Sequence, residues 1–304
     1  MPLSPADIAS SLEPSTLELS GAASVELEQF RSEFTPDDTA FGAAFARAEG
    51  AASAVLAGFA ADARETGLAR LGLAASGDAR NAASVLEATL VALASPRDIG
   101  AVHEAVDPGG DAVDLPELAQ SMIVPAALDH AWLVSSRPFF LGNARTARAV
   151  LAAQLSGPVV PFPISGGLLA DAAGYRTAIE AYGRGDANPI VRVVAAAVGA
   201  AVENARELAT ALAITRDEWD TAMVGVRSHA ASRQLVAVAF ENPVIDAKLA
   251  VPALGVTLAA AYTSIETLVE RGILVSRGAE RRNRAWFAPG ILDAVDAFVE
   301  RSRP

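Results

Sequence analysis

The sequence predicts a mainly α-helical protein that ends in a small helix-and-strand unit. Three observations carry this. Apolar residues recur at helical spacing over most of the first ~225 residues, and strand-like alternation is scarce before residue 270. Alanine, a strong helix former, is abundant throughout. Short β-prone runs then follow three close-spaced helical segments near the C-terminal end.

Taken in order, a helical stretch lies near Ala23–Phe34, and a long helical pattern runs from about Thr39 to Thr66. Another covers Asn81–Ala94. Ser95, Pro96 and Asp98 form a helix start: a capping hydroxyl, a proline in the first turn and an acid at the third position. That helix reaches about Val106 and stops at Pro108-Gly109-Gly110. Leu115–Ser135 is helical again, Arg145–Leu155 opens a further helix after a loop, and Thr215 to Glu218 reads as a capping box. Gly166-Gly167 reads as a turn.

Beyond residue 225 the pattern changes. Helices are expected over His229–Phe240 and Asp246–Leu254, and a third runs from the Gly255-Val256-Thr257 turn to Arg271, stopped by Gly272. Ile273–Ser276 and Arg284–Phe287 are β-prone runs joined by a basic turn, Arg277 to Arg282, and Pro289–Val299 closes the chain as a helix. Helix, helix, turn, helix and a two-stranded wing is the winged-helix pattern. The expected division is a helical extension over 1–42, a helical domain over 43–225 and a winged helix-turn-helix domain with a small β-wing over 226–304.

Charge and composition narrow the function. The 304-residue chain has net charge −12 and no cysteine, so disulfides, thiolate metal sites and cysteine nucleophiles are excluded. From Arg227 onward it carries 10 Lys and Arg against 8 Asp and Glu, while the preceding part carries 14 against 28. A chain-wide nucleic-acid surface is thereby excluded, and only the C-terminal unit remains a candidate. The first 13 residues lack a basic n-region and an apolar h-region, so no signal peptide is expected. Prolines interrupt the longest uncharged run, 149–170, so no membrane span is expected. The expected compartment is the cytoplasm, and the default assembly is a homodimer.

The segment with most chemistry in it is Arg137-Pro-Phe-Phe-Leu-Gly-Asn-Ala-Arg-Thr-Ala-Arg148. A glycine-rich turn that opens a helix aims backbone N–H groups and the helix dipole at an anion. Gly142 and Asn143 suit that turn, and Arg145 and Arg148, three apart, can grip phosphate oxygens as forks. The segment resembles the signature of the Fic family, His-Pro-Phe-x-Asp/Glu-Gly-Asn-Gly-Arg-x-x-Arg. The flanks 131–136 and 149–155 resemble that family too, as do Pro161 to Ser165, Tyr175 to Asp186 and the C-terminal winged helix, so the likeness covers roughly residues 20–304. It implies a Fic-type helical core and an adenylyltransferase ancestry: ATP phosphates in the pocket, a histidine as base, an acid holding Mg²⁺, and AMP passed to a protein hydroxyl.

This chain departs from the signature at the chemistry. Arg137 stands at the histidine position and cannot act as a general base near neutral pH. Losing such a base typically costs ~10²–10⁴ in rate. Leu141 stands at the acid's position and cannot ligate a hard cation. Ala144 replaces the middle glycine. The resemblance extends to an inhibitory helix, Ser/Thr-x-x-x-Glu-Gly/Asn, which here falls on Ser53, Ala57 and Gly58, with Ala57 at the glutamate's position and Arg148 as its expected partner. The family's target-binding flap would fall between His103 and His130, where only turn residues, Asp107 to Asp111, are seen.

Two readings of the pocket stand. Either Arg137, Arg145 and Arg148 form a cationic site that binds a phosphate or nucleotide, ATP among them, without a metal, or the site has decayed. His130 lies two helical turns, ~10 Å, before Arg137 and reads as structural. No histidine pair has metal-ligand spacing, and Ser135 and Ser136 have no base beside them. In the C-terminal unit, Arg277, Arg281, Arg282 and Arg284 could contact DNA phosphates, but the helix from Leu258 has no Arg or Lys before Arg271 to read bases. The expectation is a catalytically inactive Fic-type protein with an anion or nucleotide site and a regulatory or protein-binding role. The rivals are an AMP transferase of atypical mechanism and a DNA-binding regulator.

Overall fold

The computed structural model describes residues 11–73, 75–95, 98–109, 123–276 and 284–304. The chain is mainly helical. Helix α1 (Pro14–Ser32) lies along α10 (Asn188–Ala222), the longest described helix. The two are tied at their ends by Arg192 to Glu13 and by Arg206 to Glu33. A 3₁₀ turn (Pro36–Phe41) carries a Thr35/Asp38 capping box and leads into α2 (Gly42–Leu56). Then come α3 (Ala63–Arg70), α4 (Gly77–Ala94), α5 (Ile99–Val106), α6 (Ile123–Ser136), α7 (Asn143–Leu155), α8 (Ile164–Ala170) and α9 (Ala172–Gly183).

After α10, α11 (Ala231–Glu241) is followed by β1 (Val244–Ile245), α12 (Ala247–Leu254), α13 (Leu258–Glu270), β2 (Val275–Ser276), β3 (Trp286–Phe287) and α14 (Pro289–Arg301). The strands form an antiparallel sheet in the order β1-β3-β2, with Phe287 facing both Val244 and Val275 in register. Gly255 and Gly272, at φ 63° and 74°, end α12 and α13 as their C-terminal caps predict. The pairing of β2 with β3 is the one expected from the two β-prone runs, whereas β1 has no alternation in the sequence to mark it. The basic turn between them, 277–283, lies outside the described residues.

One apolar cluster runs from Phe30 of α1 through Phe45, Leu151 and Phe162 to Trp286 and Phe298. The C-terminal helix α14 thus closes onto α10 and α2, not only onto the sheet. A second cluster, Val102, Val106, Leu133, Phe139 and Val150, sits between α5, α6 and α7.

Four sequence expectations are corrected. The pattern over 39–66 is not one helix: α2 stops at Ala57, Gly58 takes φ 86°, and α3 restarts with the Glu65 N–H donating to the Asp62 side chain at 2.7 Å. Alanine on both sides of the break hid it. The start of α5 is capped by Asp98, which accepts from the Ala101 N–H at 2.9 Å, and not by Ser95. Thr215 caps nothing. It is buried inside α10 and its hydroxyl donates to the Ala211 carbonyl, so the charged Arg216–Glu218 run is simply an exposed continuation of that helix. Gly166 and Gly167 are not a turn but part of α8.

Those two glycines are spacers between packed helices. A Cβ on Gly167 would stand 1.9 Å from the Ala197 carbonyl oxygen of α10, and one on Gly166 would stand 2.5 Å from the Phe298 ring of α14. The Gly167→Ala variant should therefore lose roughly 3 kcal/mol or more of unfolding free energy, because the added methyl meets backbone atoms of α10 that cannot rotate away. Gly183→Ala, on an exposed position with nothing within 4 Å of the added carbon, should stay within about 0.5 kcal/mol of wild type in the same urea titration.

Candidate functional site

The loop between α6 and α7 is held by its own residues. Gly142 heads α7 in the left-handed conformation, at φ 76°. A Cβ there would meet Val106 Cγ1 at 2.4 Å, so both the backbone angle and the neighbouring α5 require glycine. Asn143 closes the loop: its Oδ1 accepts from the Phe139 N–H at 2.9 Å, and its Nδ2 donates to the Phe139 carbonyl at 2.7 Å. Phe139 itself is buried, its ring stacked on His103 at 3.6 Å between centroids. The next two side chains point outward, Phe140 at 95% exposure and Leu141 at 53%. Arg137 is exposed and takes φ 49°, the one positive φ at a non-glycine among the described residues, directly before a proline.

The three arginines of the segment do not share one surface. Arg137 is in solvent. Arg145, in the first turn of α7, is half-buried with its guanidinium 5.6 Å from the centre of the Phe59 ring. Burial and the nearby Arg148 lower its pKa, and Asp107 opposes them. Arg148 is inside the protein at 2% exposure. Its Nε donates to Ser53 Oγ at 2.8 Å and its Nη2 to the Ser53 carbonyl at 2.9 Å. Ala57 lies one turn beyond Ser53 at the end of α2, and Gly58 is exposed.

Behind the loop lies a buried polar network that sequence reading did not find. The Glu49 carboxylate accepts from the Ser165 N–H at 2.8 Å and from the Ser165 hydroxyl. Burial pushes Glu49 up to about 7, against the Ser165 hydrogen bonds and the Arg148 charge. On the other side, His130 Nε2 and the Tyr175 hydroxyl are 2.9 Å apart. Burial holds His130 down at about 4, aided by Arg148 and opposed by the Ala147 backbone, so the imidazole is neutral at physiological pH. Burial raises Tyr175, and Arg148 opposes the shift by charge and hydrogen bond. Arg148 is thus a shared electrostatic neighbour of Glu49, His130 and Tyr175. One signal was available: Glu49 and Ser53, four residues apart, fall on one face of an alanine-rich helix. The Tyr175 contact comes only from tertiary packing.

Other candidate residues take other places. His103 Nδ1 lies 3.2 Å from the Thr146 hydroxyl, which makes it a packing residue under the loop. No group of three or more His, Asp or Glu among the described residues could hold a metal ion. The expected flap segment lies mostly in 110–122, outside the described residues. Arg277, Arg281 and Arg282 also lie outside them, while Arg284 packs its guanidinium 5.0 Å from the centre of the Trp286 ring. Among the described residues no single helix is long and apolar enough to cross a membrane.

No protein-family model matches the chain, and no curated protein matches it. A solved structure, the crystal structure of a Fic family protein from Desulfovibrio desulfuricans G20, matches 91% of this chain and 96% of its own, with 14% sequence identity and a TM-score of 0.45.

Two outcomes test the network. Ser53→Ala removes the side-chain acceptor of a buried charged donor and should cost about 2 kcal/mol of stability in urea unfolding. Glu49 binds its proton more tightly folded, at about 7, than its ordinary 4.5. Its contribution is therefore present at low pH and is lost as pH rises toward and through 7. Relative to Glu49→Gln, wild type should lose roughly 2–3 kcal/mol between pH 5 and pH 8, read from paired unfolding curves.

Proposed function

We propose that the chain is a Fic-type protein whose loop no longer transfers AMP and instead binds an oxyanion, in first place the phosphate of a nucleotide, without a metal. The observation that carries this reading is the head of α7. Gly142 turns the chain so that the first backbone N–H groups of the helix lead it, and Arg145 stands on that same first turn. The resemblance of residues 137–148 to the Fic signature supports the phosphate as ligand. The residues at the positions of base and metal ligand are an exposed arginine and an exposed leucine, which supply neither function.

Arg148 has a different part in this reading. It faces Ser53 and fastens α2 to α7, so Arg145 is the arginine left to meet a ligand. The helical and β elements after α10 form a winged helix with a protein-binding role. Its helix α13 exposes Leu258, Ala259, Thr263, Glu266 and Glu270, an apolar and acidic face that suits a protein surface better than DNA phosphates.

Calorimetric titration of ATP, ADP and AMP, with and without Mg²⁺, tests the proposal. Wild type should bind at least one nucleotide equally well in either condition, and Arg145→Ala should weaken it tenfold or more, the value of one charge-assisted hydrogen bond. Absence of heat with all three would sink it. Transfer of labelled AMP to any protein would show that catalysis survives.

A further inference from the structure

A cavity of about 570 Å³ lies on the opposite side of α2 from the Ser53 contact. Successive residues turn by about 100° on a helix, so Arg47 and Ala51 share one face of α2 while Glu49 and Ser53 share the other. The cavity's walls come from α2, α3, α4, the end of α5, and the segment that leads from α11 into β1. Its volume is in the range of small-molecule sites.

The lining combines cations with an apolar body. Arg47, Arg70 and Arg80 face it, against a single carboxylate, Glu87. Arg70 pairs with Glu87 at 3.2 Å, and Arg80 Nη1 donates to the Ala75 carbonyl at 2.8 Å. Arg47 forms no ion pair among the described residues, and its Nη1 donates to the Ala43 carbonyl of its own helix. Leu71, Leu86, Val244, Leu249 and Val295 supply the apolar part. Thr66, Asn81 and Asn242 add neutral polar groups.

We infer that this cavity is a binding site for a small amphipathic anion, one phosphate or carboxylate group on a compact apolar body, with Arg47 as the principal anion contact. A guanidinium at the wall of a mostly apolar cavity, next to a second cation and without a carboxylate of its own, gains most from an entering oxyanion. Burial and the Arg70 charge bring the Arg47 pKa down to about 9, with the Glu241 charge opposing them. The charge of a bound anion would offset both effects. The site shares no arginine with the head of α7, so it stands or falls apart from the nucleotide proposal.

The experiment uses the full chain and four probes: hexyl phosphate, hexanoate and hexanol, which share a six-carbon body, and inorganic phosphate, which has no apolar body. By calorimetry, hexyl phosphate or hexanoate should bind at least tenfold more tightly than hexanol and than inorganic phosphate, and the better of the two identifies the head group. Arg47→Met should weaken that anion tenfold or more and leave hexanol unchanged, while Arg145→Ala should change nothing. If Arg47→Met does not fold, Arg80→Gln at the same wall should weaken the anion at least threefold. Equal binding of hexanol and the anions, no anion binding, or anion binding that survives the arginine substitution would each overturn the inference.

Discussion

The structure around the loop depends on one buried cation. Arg148 reaches from the second turn of α7 to Ser53 on α2, and both of its contacts there are to one residue, hydroxyl and carbonyl. A guanidinium this deep must have its donors met, or the helices carrying it cannot stay together. Its charge also sets the surroundings. It pulls Glu49 toward ionisation, resists protonation of His130 and lowers Tyr175 against the effect of burial. Fixing α7 against α2 in turn fixes the direction of the helix head and places Arg145 over Phe59.

The loop in front of that anchor is ordered by short-range chemistry. Asn143 supplies both a donor and an acceptor to the same residue, Phe139, and so copies the pairing of a short strand within five residues of chain. Phe139 then plugs into the layer between α5, α6 and α7, while Phe140 is left 95% exposed. The contrast between two adjacent phenylalanines is a result of the loop's direction, not of composition. It leaves a large aromatic side chain in water next to the proposed anion site.

Much of the helical plan was legible in the residues because its punctuation is local. Glycine at 255 and 272 and proline at 289 mark helix ends by backbone conformation alone, and they fell where they were read. The misreadings share a cause. Alanine has high helix propensity and little volume, so an alanine-rich sequence keeps a helical signal across a real break, as at Ala57 to Asp62. Thr215 and Gly166-Gly167 carry signals for caps and turns that tertiary packing overrode: one hydroxyl bonds its own helix, and the glycines answer to Ala197 and Phe298, far off in sequence. The site was legible as a set of residue types but not as a set of directions. Nothing in the spacing of Arg145 and Arg148 tells which turns inward, since that is decided by Ser53 and Glu49, about a hundred residues earlier.

Val106 is a shared neighbour of the head of α7 and of the rear cavity. One of its methyl groups fills the space that a side chain at 142 would need, and the same residue borders the cavity behind α4 and α5. A guest in the rear chamber that displaces the Val106 side chain would press it toward Gly142 at the helix head, and a smaller residue at 106 would open room beside both. The head of α7 and the rear chamber are therefore neighbours that cannot be altered independently at this position, even though no arginine belongs to both.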